Sequence, residues 1–113
     1  MADELIDWAR IAELREEFGE DGFSEIVKLF MVEVESGIDA LERDVEARAE
    51  RLHFLKGSAL NLGFSAMAVI CCDEAPDDET VALVREVFAS SRDAFFKGCD
   101  VAGTDSAPAS FRA

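Results

Sequence analysis

The only histidine of the chain, His53, is followed three residues later by Lys56 and four residues later by Gly57. In a helix those positions are neighbours on one face. An imidazole has a reference pKa of about 6.5, so near neutral pH it is largely the neutral nucleophile, and the phosphoramidate it forms releases its nitrogen readily on return transfer. An ammonium one turn away can sit against the phosphoryl oxygens and offset their charge in both the phosphorylated state and the transition state. Glycine costs a helix about 1 kcal/mol relative to alanine, yet at Gly57 it removes the side chain that would stand beside the imidazole, so another protein can approach. These residue types suit reversible phosphoryl carriage, with His53 as acceptor and Lys56 as its charge partner.

The elements that must position them are helical. Tyrosine is absent, prolines number two, and nearly every apolar residue falls on a stripe of spacing three and four. A first helix is expected from Asp7 to Phe18, with Trp8, Ile11, Leu14 or Arg15, and Phe18 on one side, broken by Gly19 and Gly22; it reads as a short lid. A second starts near Phe23 or Ser24, with the serine as cap, and presents Ile26, Val27, Phe30, Val34, Ile38, Leu41 and Val45. Gly37 inside it reads as a close-packing or tolerated position. Length alone demands a turn near Asp44 to Arg48. A third helix is expected from Ala49 to Glu74, ending before Pro76 because the residue preceding proline is driven out of the α region. Asp77 and Asp78 can cap a fourth, carrying Val81, Val84, Val87, Phe88, Ser91 and Phe95 and stopping at Lys97-Gly98. Residues 1–98 form one domain on this reading, and 99–113, rich in Ala, Ser, Gly and Asp, form a flexible tail.

At 100° per residue, Leu52, Leu55, Ala59, Leu62, Ala66 and Ile70 gather on one stripe of the third helix and face the core. His53 then faces solvent, with Gly57, Asn61 and Phe64 on its side, Lys56 and Leu60 flanking it, and Glu50 one turn before. Gly57, Leu60, Asn61 and Phe64 are the expected binding surface, where Leu60 and Phe64 would dock an apolar helix of a partner. Phe64 fits a place in the core equally well.

Composition narrows the partners. Half of the 113 residues are hydrophobic, enough for a core without staples. With 25 acidic and 11 basic residues the net charge is −14, which repels nucleic-acid phosphates and anionic headgroups. The longest apolar stretch, Met67 to Cys72, is too short to cross a bilayer, and the acidic start Met1-Ala2-Asp3-Glu4 is unlike a signal peptide; a cytoplasmic location is expected. Cys71, Cys72 and Cys99 lack a second histidine and a paired spacing, so reduced thiols are expected, with neither a disulfide framework nor a metal site.

The run His53-Phe54-Leu55-Lys56-Gly57-Ser58 together with Asn61-Leu62-Gly63 resembles the acceptor segment of histidine-containing phosphotransfer domains, with the form His-x-Leu-Lys-Gly-Ser-x-x-Asn-Leu-Gly. The resemblance extends over about Asp7 to Gly98 through the order of a lid followed by three longer helices. Leu52 departs from it, standing where a small residue commonly precedes the histidine. The resemblance implies an all-α, antiparallel four-helix bundle with a short N-terminal lid helix. It implies His53 as phosphoacceptor, Lys56 as phosphate partner, and Gly57 and Gly63 as close-approach positions. The partners implied are receiver domains of response regulators or hybrid histidine kinases, which bring their own aspartate and magnesium, so the carrier has no cofactor of its own. A monomeric phosphocarrier is then expected, not an enzyme, since no Gly-rich phosphate loop accompanies the helices. The alternatives are a helical docking or scaffold module that never takes phosphate and a dimerisation fragment of a histidine kinase.

Overall fold

The computed structural model describes residues 5–98, and the tail 99–113 with Cys99 lies outside the described residues. Every regular element among them is helical: α1 (Trp8–Arg43), a 3₁₀ turn (Val45–Ala47), α2 (Arg48–Leu62), α3 (Ser65–Ile70) and α4 (Asp78–Gly98).

Asp7 caps α1, its carboxylate accepting from the Arg10 N–H at 3.3 Å. The expected break between the lid and the second helix falls at Gly19 alone, which has φ 73° and ψ 170° inside α1, a region essentially reserved for glycine. Gly22 is helical, and Ser24 is a buried residue within the helix, so neither is the boundary the sequence suggested. One glycine suffices for the change of direction.

Beyond the kink, Phe23, Val27, Phe30, Val34, Ile38 and Leu41 are buried along one stripe of α1. Val45 leaves that stripe and is exposed, because it belongs to the 3₁₀ turn that sits where a turn was expected. Arg48 fastens this corner. Its side chain is only 8% exposed, donating from Nε to the Leu41 carbonyl at 2.7 Å and pairing through Nη2 with Asp78 at the start of α4 at 2.9 Å. Gly37 is a close-packing position: a Cβ there would lie 2.8 Å from Leu55 Cδ2 of α2.

The long third helix expected from Ala49 to Glu74 is two helices. α2 ends at Gly63, which takes the left-handed conformation at φ 81°. The Gly63 N–H donates to the Leu60 carbonyl at 3.3 Å and the Phe64 N–H to the Ala59 carbonyl at 2.8 Å, the Schellman arrangement that satisfies terminal carbonyls. The lid is tied to this end: the Asp7 N–H donates to the Gly63 carbonyl at 2.7 Å and Arg10 Nε to the Asn61 carbonyl at 2.9 Å.

The reversal at Gly63 turns Phe64 inward, and its ring lies 4.9 Å from that of Phe30, 5.9 Å from Phe95 and 6.3 Å from Phe88. Phe64 is fully buried, which removes it from the expected docking surface. Beyond the break Ala66 is only partly buried and Ile70, partly buried too, still packs against the core, while Met67 and Ala68 take the fully inward places.

α4 begins as expected at the Asp77 cap, which accepts from the Thr80 N–H at 3.0 Å. That N–H, helped by the Thr80 hydroxyl, holds the Asp77 carboxyl below its ordinary range. Val81, Val84, Phe88, Ser91 and Phe95 of α4 are buried, and Trp8 of the lid stacks on Phe95 at 6.3 Å. Exposed pairs from Arg85 to Asp39 and from Arg92 to Glu35 join α4 to α1, each worth about 0–1 kcal/mol.

Candidate functional site

α2 is amphipathic in the sense the sequence dictates. Leu52, Leu55, Ala59 and Leu62 are each at most 2% exposed, so the residues opposite that stripe face solvent. His53 is exposed there, and no described residue hydrogen-bonds its ring. Lys56 is half-buried beside it and has no salt bridge among the described residues. Gly57 is exposed, and a Cβ added to it would meet nothing within 4 Å. Open space therefore lies next to the imidazole, and no carboxylate among the described residues orients it as in a catalytic triad.

His53 and Lys56 line a shallow recess of about 290 Å³ with Ala49 on their own helix, and with Cys71, Cys72, Asp73 and Glu74 beyond the end of α3. The opposite wall exists because Gly63 folds α3 back beside α2 rather than prolonging it. Burial pushes the Cys71 thiol up to about 12, leaving it protonated, while Cys72 is exposed. No group of three histidine, cysteine or acidic side chains able to hold a metal ion occurs among the described residues.

Of the expected binding residues, Gly57, Leu60 and Asn61 are at the surface with His53, Leu60 at 54% exposure; Phe64 is not. The structure adds an apolar surface on the other side of the α2 ridge. Phe54, next to the histidine, is 61% exposed, and Leu29 and Val32 of α1 are 62% and 66% exposed. Two adjoining grooves run along the α1 and α2 boundary: one includes Phe18, Leu29, Ser58 and Asn61, the other Val32, Gly37 and Phe54, and Glu33 borders both. Leu29 and Val32 were legible as apolar positions three apart that miss the buried stripe of α1. Phe54 was legible from its 100° offset from His53.

The arrangement offers an accessible nucleophilic nitrogen, a nearby cation, room for an incoming group, and an acid-bordered apolar surface alongside. No helix of the described chain is long and apolar enough to cross a membrane. Comparison with protein-family models, with curated proteins and with solved structures gave no match.

Proposed function

We propose that the protein is a histidine phosphocarrier of a phosphorelay, an antiparallel four-helix bundle that accepts a phosphoryl group on His53 from a receiver-domain aspartyl phosphate and returns it to another receiver's aspartate. One observation carries the reading: an exposed imidazole without a hydrogen-bond partner among the described residues shares a recess with the Lys56 ammonium and has open space over Gly57. An exposed imidazole alone is the ordinary state of a surface histidine; Lys56 in the same recess and the open space over Gly57 are what favour the carrier reading.

The transfer needs little from the carrier. The lone pair of one ring nitrogen forms the N–P bond while the P–O bond to the receiver's carboxylate breaks, the carboxylate oxygen keeping the electron pair and the other ring nitrogen its proton. Lys56 offsets charge on the phosphoryl oxygens. Magnesium comes with the receiver's acidic pocket. The chain acts as a cytoplasmic monomer and not as an enzyme in its own right. Receiver docking falls to Leu60 and Asn61 beside the histidine and to the apolar surface of Phe54, Leu29 and Val32, where a helix with an apolar face and basic flanks would meet Glu33 and Glu17.

The test is to mix the protein with a phosphorylated receiver and magnesium and to follow acid-labile, base-stable phosphate by intact mass. Label on wild type and none on His53→Gln is expected; label persisting on His53→Gln would sink the assignment. The exposed apolar surface also favours a second reading, a docking module that binds receivers without taking phosphate. That reading expects undiminished receiver binding and no label on wild type from any competent receiver.

A further inference from the structure

We infer that Glu74, with Asp73 beside it, sets the phosphoryl-transfer potential of His53 by opposing Lys56 across their shared recess. The inference rests on the carrier reading above. His53 and Lys56 form one side of the recess, and Asp73 and Glu74 stand on the side contributed by the segment after α3. Asp73 is fixed there: Oδ1 accepts from the Ala75 N–H at 3.1 Å and Oδ2 from the Thr80 hydroxyl at 2.6 Å. Glu74 is exposed and has no hydrogen bond or ion pair among the described residues, so its charge is committed to no cation. Cys71, protonated by burial, adds no charge to the wall.

One ammonium therefore shares the recess with two carboxylates before any phosphoryl group arrives. A phosphoryl group brings about two further negative charges at neutral pH. When the N–P bond forms and the receiver's carboxylate leaves with its electron pair, that charge enters a recess whose own balance is already negative. The phosphorylated carrier rises in free energy relative to the aspartyl phosphate, and the exchange is displaced toward the receiver. Lys56 keeps the transfer possible; Glu74 keeps it from being stored. The carrier is built to be discharged.

The experiment uses the full chain with one phosphorylated receiver and magnesium, brought to equilibrium, and reads the ratio of phosphohistidine to phosphoaspartate by intact mass. Glu74→Gln should raise the ratio about 3- to 10-fold at low ionic strength, and by less at high salt. Lys56→Gln should lower it, and Glu74→Asp should return it toward wild type, which a merely structural role of the side chain would not require. A Glu74→Gln ratio equal to wild type, with Lys56→Gln still effective, would overturn the inference and leave the carrier reading standing. Absence of label on wild type would overturn both.

Discussion

Replacing Phe64 by alanine separates a core residue from a docking residue. The ring is fully buried against Phe30, Phe88 and Phe95, with centroids 4.9, 6.3 and 5.9 Å away. Truncating a buried phenylalanine costs about 3–5 kcal/mol in lost transfer energy and residual cavity. A domain of this size is stable by about 5–15 kcal/mol, so Phe64→Ala should remove a large share of it and lower Tm by more than about 10 °C. Phe54→Ala is the control. That side chain is 61% exposed, and its loss should change stability by no more than about 0.5 kcal/mol. Urea unfolding followed by far-UV ellipticity gives both numbers, and Trp8 fluorescence is a second probe because its ring stacks on Phe95. A Phe64→Ala variant within about 1 kcal/mol of Phe54→Ala would refute the packing argument and return Phe64 to the surface.

Three further outcomes follow from the geometry. Gly63→Ala should destabilise by about 1–2 kcal/mol from the left-handed backbone alone, and by more because the new Cβ would stand 3.0 Å from the Asp7 carbonyl oxygen; thermal denaturation reads this. Arg48→Ala should cost about 1–3 kcal/mol in urea unfolding by leaving the Leu41 carbonyl without its donor, with little from the Asp78 pair because that carboxylate is 94% exposed. In a Cys99→Ser background at pH 8, a thiol reagent should modify Cys72 quickly and Cys71 only after unfolding. A thiol pushed up to about 12 is protonated throughout that range and gains thiolate only as pH approaches 12; two fast thiols in the folded protein would contradict the burial of Cys71.

Local rules carried the reading of His53, Lys56 and Gly57 because residues three and four apart on one helix need no tertiary information to be placed together. The same arithmetic failed one turn later. Phase can be extrapolated only while the backbone stays right-handed, and Gly63 at φ 81° ends that continuity, so Phe64 turns into the core and Met67 and Ala68 take the inward places beyond it. A glycine in an apolar periodic run does not by itself decide the matter: Gly22, read as a break, is helical, and so is Gly37. Whether it ends the helix depends here on what waits beyond it, the Phe30, Phe88 and Phe95 rings that receive Phe64. The opposite wall of the recess was hidden for the same reason, since Cys72 and Glu74 come to line it with His53 only through that reversal. Arg48 was illegible as a buried cation because its partners, the Leu41 carbonyl and Asp78, lie on elements that only the folded chain brings to it.

The placement of the apolar surface has a consequence for how such a chain can diversify. His53 and Lys56 project from α2, whereas Leu29 and Val32 project from α1, exposed and off its buried stripe. Substituting those two positions disturbs neither the packing that holds α2 in register nor the groups beside the imidazole. On the proposed carrier reading, affinity for one partner can drift at Leu29 and Val32 while His53 and Lys56 are left alone, because this part of the docking surface lies on a different helix from the phosphoryl site.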